Sequence, residues 1–239
     1  MKVSSVSFII PTYNNASIIE TVVNESYAVG TQIANDFEII VCNDASRDDT
    51  SKILHTLQIK ISQLRVLTHH VNEGYGKTIK ELYYAAKSDW LFSIPGDGQI
   101  DAKEVLKLLP FAKDTDMVIG WRVSRNDPKG RIFQSSVYNI LLRVLFSINI
   151  HDVNSVRLMK TSIFKKISLT SISAFVDAEL LIQTLRNGFV VKEVHIKHRR
   201  DQSKGSGGHV STIFATIVEM IRFSFAPLSG AKLRVKGKL

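Results

Sequence analysis

The chain has 239 residues, of which 44% are hydrophobic, so it is long enough for one large domain, or one domain with an appendage, around a substantial core. Its single cysteine, Cys42, excludes an internal disulfide, and residues 1–15 lack the cleavage site of a signal peptide, so we expect a cytosolic protein. Lys and Arg number 31 against 22 acidic residues, and the net charge of +9 indicates an anionic partner: nucleic acid, a nucleotide or a membrane surface.

The basic excess is concentrated in the second half of the chain, in residues 122–143, 192–204 and 232–238. This localisation favours a specific anionic contact over a general role in solubility. No apolar stretch reaches the ~18 to 20 residues that a membrane span needs. The nearest candidate, residues 137–148, is too short and contains Arg143.

Strand and helix patterns alternate through the first half of the chain. Apolar, β-branched runs predict strands at 6–13, 37–44, 64–70, 90–95 and 117–122. Helical spacing predicts helices between the first four strands, at 16–34, 46–57 and 75–88. This order predicts an α/β fold with an open central sheet flanked by helices.

The second half is less regular and shows no internal repeat. We predict a long apolar and basic helix that includes 137–148, a helix at 177–188, a strand at 190–198 and an amphipathic helix at 210–225. Residues 199–209 form a glycine-rich basic loop. We expect one main domain over residues 1–205, followed by the amphipathic helix and basic tail at 206–239.

Three polar clusters follow predicted strands, at 12–15, 42–48 and 95–101. Because ligands of open α/β sheets collect at the carboxyl ends of the strands, we expect the clusters to form one pocket. In the second cluster, Asp44 offers only acceptors, which suits an imide or hydroxyl group of a nucleoside. Ser46, with Asp49 three residues later, is predicted to cap the next helix.

Two further segments offer candidates for phosphate and metal binding. NEGYGKT (72–78) lacks the spacing of a P-loop, but its glycines permit either a plain helix entry or an approach of helix amides and Lys77 to a phosphate. Asp97 lies on a turn between Gly96 and Gly98. It is either a turn-stabilising residue or a ligand of Mg²⁺, which takes one or two carboxylates and completes its shell with phosphate and water.

Together these segments resemble the family-2 glycosyltransferases of GT-A fold, and within them the dolichyl-phosphate and polyprenyl-phosphate glycosyltransferases. The matching segments, in the family's order and spacing, are PTYNN (11–15), EIIVCNDASRDDT (38–50), NEGYGKT (72–78), PGDGQID (95–101) and GWRVSRNDPKGR (120–131). The resemblance covers about residues 5–205. It implies a GT-A fold with a mixed, mainly parallel sheet and a nucleotide diphosphate sugar as donor.

The resemblance also implies site residues. Asp97 matches the second carboxylate of the family's Asp-x-Asp motif and would bind Mg²⁺ or Mn²⁺ with Gln99. Pro95 stands in place of the first carboxylate, Asn43 replaces an acid before Asp44, and Asn15 stands where Glu is usual. The expected nucleotide-sugar contacts are Pro11, Tyr13, Asn15, Asp44, Lys77, Asp97, Gln99, Arg200 and Lys204.

The acceptor side is expected to be basic. Arg122 and Arg131 match positions that hold the acceptor phosphate, and guanidinium groups bind phosphate oxygens in pairs. Arg199, Arg200, Ser203 and Lys204 resemble the family's basic lid, which places Arg199 near the same phosphate. Asp177 is the candidate general base for a hydroxyl acceptor, whereas a phosphate acceptor needs no base.

We therefore predict an inverting glycosyltransferase that transfers a sugar from a UDP- or GDP-linked donor to undecaprenyl or dolichyl phosphate in cell-envelope glycan biosynthesis. Its expected catalytic residues are Asp97, Arg122, Arg131 and Asp177. The helices at 137–148 and 210–225 are expected to lie on the inner face of the cytoplasmic membrane.

Other functions stay open. Transmembrane helices often follow the catalytic domain in this branch and are absent from the chain, so the protein is expected to be either peripheral or truncated. One alternative is a soluble transferase that acts on a sugar hydroxyl, and another is a non-catalytic nucleotide-sugar binder. Nucleic-acid binding is not expected, because aromatic residues are not interleaved with the basic clusters. A homo-oligomer is compatible with the sequence.

Overall fold

The computed structural model of the protein describes residues 2–122, 129–199 and 210–225, with the backbone alone for 129, 131–134 and 210–214. The strands are β1 (Val3–Thr12), β2 (Ala34–Asn43), β3 (Leu64–Thr68), β4 (Trp90–Ser93), β5 (Met117–Arg122), β6 (Arg157–Lys160) and β7 (Val191–Ile196). The α-helices are α1 (Ile19–Ile33), α2 (Thr50–Lys60), α3 (Tyr75–Ala85), α4 (Val105–Leu108), α5 (Lys129–Phe146), α6 (Val176–Arg186) and α7 (Val210–Phe225). Short 3₁₀ helices occupy Ala102–Glu104, Leu109–Lys113 and Thr161–Lys165.

Within the described ranges, the strands form a single sheet in the order β3-β2-β1-β4-β6-β5-β7. All neighbours are parallel except where β6 pairs antiparallel with β4 and with β5. The prediction of an α/β fold with a mixed, mainly parallel sheet is confirmed. Strand β6 was not predicted, and its insertion separates β5 and β7 from the parallel strands before them.

Helices cover both faces of the sheet, which explains why its central strands are continuous apolar runs. In β1, Phe8 and Ile10 face a core formed with α1 and α2, whereas Ile9 faces a second core formed with α3, α5 and α6. All three side chains are fully buried. A half-exposed sheet would have shown alternating polar residues instead.

The start of α2 differs from the prediction. The helix begins at Thr50 rather than near Ser46, and Asp48 Oδ1 accepts the Thr50 N–H at 3.0 Å. Ser46 does not cap it, because its Oγ accepts the Asn14 N–H at 2.9 Å. Asp48 Oδ2 accepts the Ala16 N–H at 3.0 Å. These bonds use both residues to join the loops after β1 and β2, which fixes the edge of the sheet where the polar clusters lie.

Helix α7 packs against the second core. The ring of Phe223 lies 6.0 Å from that of Phe146 and 5.5 Å from that of Phe175, between ring centres. Glu219 accepts the N–H groups of Ile172 and Ser173, each at 3.1 Å. The boundary predicted at residue 205 lies outside the described residues. None of the helices in the described ranges combines the length and apolar character needed to cross a membrane.

Gly76 determines how closely α3 approaches the segment before α6. A Cβ atom at this position would lie 2.2 Å from the Ile172 carbonyl oxygen and 2.3 Å from that of Ser173. These are backbone atoms, so Gly76→Ala is expected to lower the free energy of unfolding by about 1–3 kcal/mol, measured by urea denaturation. Gly130→Ala on α5 is the matched control, because the added Cβ meets no atom of the described residues within 4 Å apart from its own helix and chain neighbours. Equal midpoints for both variants would contradict the close approach.

Candidate functional site

A pocket of about 580 Å³ opens at the carboxyl edge of the sheet. It lies where the strand order reverses between β1 and β4, which is the position where open α/β sheets bind ligands. The pocket brings together eight of the predicted site residues: Pro11, Tyr13, Asn15, Asp44, Asp97, Gln99, Arg122 and Asp177. Residues from both halves of the chain therefore share one cavity.

Backbone hydrogen bonds connect the three loops that follow β1, β2 and β4. The Asp44 N–H donates to the Thr12 carbonyl at 3.0 Å, and the Gly96 N–H donates to the Pro11 carbonyl at 3.1 Å. Asn15 is buried, and its Oδ1 accepts the Thr12 hydroxyl at 2.8 Å and the Tyr13 N–H at 3.2 Å. Asn15 thus shapes the first loop, while Pro11 and Tyr13 line the cavity.

Asp44 is a buried carboxylate held by the segment that precedes α3. Its Oδ1 accepts the Glu73 N–H at 2.7 Å, and its Oδ2 accepts the Gly74 N–H at 2.8 Å. Gly74 has φ +83°, which a residue with a side chain rarely adopts, so glycine is required for this turn. The NEGYGKT segment therefore positions Asp44.

A cluster behind Asp44 was missed from the sequence. The ligand atoms of Cys42, His69 and Glu81 all lie within 4.8 Å of one another, so these three side chains form a group that could hold a metal ion. They come from β2, from the loop after β3 and from α3, so no local spacing in the sequence links them.

Asp97 and Gln99 form the turn after β4. Asp97 Oδ1 accepts the Gln99 N–H at 2.9 Å, and Gly98 has φ +71°. Gln99 Oε1 lies 3.2 Å from His198 Nε2, and the Gln99 carbonyl accepts the Arg199 N–H at 2.7 Å. Both residues line the cavity, and a carboxylate and an amide oxygen are hard donors that fit Mg²⁺ or Mn²⁺, provided that a ligand supplies further oxygens.

Arg122 lines the opposite side of the pocket, at the end of β5. Its Nε and Nη2 donate to the two carboxylate oxygens of Asp152 at 2.7 and 2.8 Å. This bidentate pair is largely buried, so it fixes the direction of the guanidinium group. Asp152 was not predicted, because the residue lies 30 positions from Arg122 in an irregular segment.

Asp177 lies on the pocket floor in a buried polar network. Its Oδ2 accepts the Tyr75 hydroxyl at 2.6 Å, its Oδ1 accepts the Tyr83 hydroxyl at 2.8 Å, and Arg157 Nη2 lies 3.2 Å from Oδ1. Burial raises the pKa of both phenols well above the ordinary value, so both remain donors. Burial opposes the charge of Arg157, but the Asp177 carboxylate raises the pKa of the guanidinium above its ordinary value.

Two described residues that were predicted to bind the donor or acceptor, Lys77 and Arg199, are not among those that line the cavity. Lys77 pairs with Glu73, and Arg199 pairs with Glu25 and Asp101. Arg200 and Lys204 lie outside the described residues, as does the side chain of Arg131.

The pocket also contains residues that sequence reasoning missed: Asn72, Tyr75, Thr78, Ser93, Asn154, Ser155 and Val156. The first three lie in NEGYGKT and could have been identified from that motif. The last three reach the pocket only because the antiparallel strand β6 starts at the carboxyl edge of its neighbours. No signal in the sequence indicated this.

Comparison with known proteins gives a family and a fold. The family model described as Glycosyl transferase family 2 matches residues 7–168. An undecaprenyl-phosphate 4-deoxy-4-formamido-L-arabinose transferase of Pseudomonas aeruginosa (strain LESB58) is 21% identical over 221 residues, covering 89% of this chain and 64% of its own length. A dolichyl-phosphate beta-glucosyltransferase of Trichomonas vaginalis is 29% identical over 108 residues, covering 42% of this chain and 32% of its own length. The chain thus spans under two thirds of these relatives.

Solved structures of other proteins are similar to this chain in fold. Glucosyl-3-phosphoglycerate synthase from Mycobacterium tuberculosis, solved with Mn²⁺, uridine diphosphate and phosphoglyceric acid, has a TM-score of 0.73 and 17% identity, over 96% of this chain and 82% of its own. S. aureus TarS 1–349 has a TM-score of 0.55 and 18% identity, over 82% of this chain and 60% of its own. At these identities the likeness concerns the fold alone, and it confirms the predicted GT-A fold.

Proposed function

The chain belongs to glycosyl transferase family 2, as its ordered motifs predicted, and we propose that it transfers a sugar from a nucleotide diphosphate sugar to a polyprenyl phosphate. One observation carries this proposal: Asp44, Asp97 and Arg122, from the ends of three different strands, line one pocket at the carboxyl edge of the sheet. The names of the curated relatives, which act on undecaprenyl phosphate and dolichyl phosphate, support the choice of acceptor.

The donor would lie between the loops after β1, β2 and β4. Pro11, Tyr13 and Asp44 would hold the nucleoside, because Asp44 accepts from imide or hydroxyl groups and the other two supply apolar surface. Asp97 and Gln99 would hold Mg²⁺ or Mn²⁺ together with the donor diphosphate. Such an ion, when bound, supplies positive charge to the departing diphosphate. A protein of similar fold that was solved with Mn²⁺ and uridine diphosphate supports the choice of a divalent ion and a nucleotide diphosphate.

The acceptor would enter on the side of Arg122. An oxygen of the lipid phosphate would attack the anomeric carbon, and the bond from that carbon to the diphosphate would break, with inversion. Arg122 is positioned by Asp152 and would orient the acceptor phosphate through its guanidinium group. That Arg131 and the basic loop with Arg200 and Lys204 make further phosphate contacts stays a prediction.

The contacts of Asp177 favour a phosphate acceptor over a sugar hydroxyl. A hydroxyl acceptor needs a general base within hydrogen-bond reach, and Asp177 is the candidate of the alternative mechanism. Both of its oxygens already accept phenol hydrogens, and one also faces a buried guanidinium. The oxygens that would take the proton of a hydroxyl acceptor are therefore already engaged in hydrogen bonds, whereas a phosphate acceptor is itself an anionic nucleophile and needs no base.

A membrane surface is the proposed location of the acceptor. Val137, Ile140 and Val144 share one exposed face of α5, and Ile221 and Phe225 share one exposed face of α7. The two helices contact each other through Phe146 and Phe223 and also present the exposed residues Arg143 and Arg222. Exposed apolar residues beside arginines fit an anionic lipid surface. We propose peripheral binding at the inner face of the cytoplasmic membrane.

A transfer assay tests the proposed function. The protein is incubated with vesicles containing a polyprenyl phosphate and with UDP-, GDP- or dTDP-linked sugars, in Mg²⁺, in Mn²⁺ or in chelator. We expect metal-dependent transfer to the lipid phosphate, with Arg131→Ala lowering the rate by roughly 10–100-fold through the loss of charged hydrogen bonds. Arg143 lies on the same helix, within the proposed membrane face. Arg143→Ala is expected to reduce the fraction of protein that sediments with the vesicles, and to have a smaller effect on the rate of transfer to a detergent-solubilised acceptor.

Three outcomes of the assay have different meanings. Transfer only to free sugars would favour the hydroxyl-acceptor alternative. Nucleotide binding without transfer to any acceptor would support a non-catalytic binder and would overturn both enzymatic proposals. Equal rates for Arg131→Ala and the wild type would remove Arg131 from the acceptor site.

A further inference from the structure

Side chains of three kinds that commonly bind metal ions meet beside Asp44. Cys42 is buried at the end of β2, His69 follows β3, and Glu81 lies on α3. Their ligand atoms, a thiol sulfur, an imidazole nitrogen and a carboxylate oxygen, all lie within 4.8 Å of one another. The N–H of His69 donates to the Asn43 carbonyl at 3.0 Å, which holds its backbone beside β2. The fold therefore brings ligands from three elements to one point.

The distances between these atoms suit a shared tetrahedral ion. Zn²⁺ bonds of about 2.3 Å to sulfur and about 2.0 Å to nitrogen put the two ligand atoms about 3.5 Å apart. Cys42 Sγ lies 3.5 Å from His69 Nε2. Glu81 Oε2 lies 2.8 Å from the same nitrogen, so it would withdraw by about half an ångström to share an ion. The Glu81 side chain is 48% exposed on its helix and has room for this movement.

The other ring nitrogen of His69 makes the contact that metal-binding histidines usually make. Its Nδ1 lies 2.7 Å from Asp44 Oδ1. A histidine that binds a metal through one nitrogen almost always donates its other N–H to a carboxylate, a carbonyl or water, which fixes the ring and strengthens the ligand. Asp44 is itself held, because its Oδ1 also accepts the Glu73 N–H at 2.7 Å. The contact with Asp44 thus directs Nε2 of the ring toward Cys42 and Glu81.

The mixture of ligand types selects the ion. Sulfur, imidazole nitrogen and carboxylate oxygen together suit Zn²⁺, whereas Mg²⁺ takes oxygen ligands. The cluster therefore differs in chemistry from the turn with Asp97 and Gln99, which offers oxygen ligands. Burial, followed by the charges of Glu81 and Asp44, raises the pKa of the Cys42 thiol to about 12. A bound ion would therefore displace the thiol proton to solvent as the bond to sulfur forms.

We propose that Cys42 Sγ, His69 Nε2 and the Glu81 carboxylate bind Zn²⁺, with water as the fourth ligand. The ion would join β2, the loop after β3 and α3, and it would hold the imidazole ring that contacts Asp44. Its role would be structural, because these three side chains are not among the residues that line the pocket. The site does not depend on the proposed function, since none of its ligands is assigned to the donor or the acceptor.

A titration with Co²⁺ tests the site, because Co²⁺ accepts the ligands of Zn²⁺ and absorbs light. The chain has a single cysteine, so a sulfur-to-cobalt charge-transfer band can come only from Cys42. We expect a band that saturates at one Co²⁺ per chain, is bleached by Zn²⁺ and is unaffected by excess Mg²⁺. It should be absent in Cys42→Ser. In His69→Gln and Glu81→Ala the affinity should fall at least about 10–100-fold, the cost of losing even a supporting contact. The control is His70→Gln, an exposed neighbour, which should bind as the wild type does.

A second measurement uses Zn²⁺ itself and reads the stability of the fold. An ion that binds the folded chain raises its melting temperature. At a free Zn²⁺ concentration about 100 times the dissociation constant, we expect a rise of about 5–10 °C for a chain of this size. The rise should be lost in Cys42→Ser and kept in His70→Gln. Because each variant is compared with and without Zn²⁺, a change in its basal stability does not affect the result.

Several results would overturn the inference. One is a folded wild type that shows no sulfur-to-cobalt band. Another is a band with unchanged affinity in both His69→Gln and Glu81→Ala, because the thiol would then bind without the other ligands. A rise in melting temperature with Zn²⁺ that is equal in the wild type and Cys42→Ser would also overturn it. If Cys42→Ser does not fold, Glu81→Ala decides, since it changes an exposed helix position. These measurements contain no nucleotide, so they succeed or fail independently of the transfer assay.

Discussion

Asp177→Asn is expected to lower the free energy of unfolding by about 3–5 kcal/mol, because it leaves a buried guanidinium without its carboxylate. The side chain of Arg157 is 1% exposed and its Nη2 lies 3.2 Å from Asp177 Oδ1. The hydrogen bonds that its guanidinium group donates go to the backbone carbonyls of Val153, Ser155 and Asp177, which carry no compensating charge. Urea unfolding at pH 7 measures the loss.

The control for this prediction is an exposed ion pair. Glu73→Gln removes the charge from the pair with Lys77, whose side chain is 47% exposed, and should change the unfolding free energy by less than about 1 kcal/mol. Combining Asp177→Asn with Arg157→Met should cost less than the sum of the single variants, because the unpaired charge is then gone. Additive costs would show that the two residues are not coupled.

The same variant bears on the chemistry. If Asp177 only stabilises the fold, the rate of transfer to the lipid phosphate per folded molecule of Asp177→Asn should stay within about threefold of the wild-type rate. A general base is worth on the order of 10²–10⁴-fold, so a loss of that size in fully folded protein would restore the alternative in which Asp177 activates a hydroxyl.

Asp97→Asn is expected to lower transfer by on the order of 10²–10³-fold, the effect of removing one group that stabilises charge in a transition state. The substitution is isosteric, and an amide oxygen can still accept the Gln99 N–H that Asp97 Oδ1 accepts at 2.9 Å. Folding should therefore be unchanged while the negative charge that attracts a divalent ion is lost. Transfer rates at several Mg²⁺ and Mn²⁺ concentrations measure the effect.

The companion variant tests the position of the missing carboxylate. Pro95 lines the pocket two residues before Asp97, so Pro95→Asp would place a second carboxylate beside the first. We expect the metal concentration for half-maximal transfer to fall, because two carboxylates bind Mg²⁺ or Mn²⁺ more tightly than one. If Asp97→Asn keeps both wild-type transfer and wild-type metal dependence, the ion is not bound at this turn.

The family and most of the fold could be predicted from the sequence, because the evidence for them is local. Strand β5 was predicted with its observed bounds, and the bounds of the other predicted strands differ from the observed ones by one to three residues at one or both ends. Buried parallel strands have apolar runs on both faces, and these runs stand out in any window of a few residues. Capping was less predictable, since Ser46, Asp48 and Asp49 are all suitable caps, and contacts with Asn14 and Ala16 decided their roles.

The candidate site, too, could be predicted from the sequence only in part. The types of residue that face the pocket followed from their place at strand ends, as for Asp44 and Asp97. Their ion-pair partners could not be predicted. Arg122 pairs with Asp152, from the irregular segment before β6, and Asp177 pairs with Arg157, the first residue of β6. Strand β6 has only four residues and resembles a loop in sequence.

By itself, the sequence determined the family, the alternation of strands and helices, and the chemical groups at the carboxyl edge of the sheet, because each of these depends on residues close together in the chain. Only the tertiary structure decided which charge each group faces. His69 meets Asp44 and Glu81, and Arg122 meets Asp152, across separations of 12–30 residues. Hydrogen bonds form between atoms about 3 Å apart, and only the folding of the sheet brings these atoms to that distance.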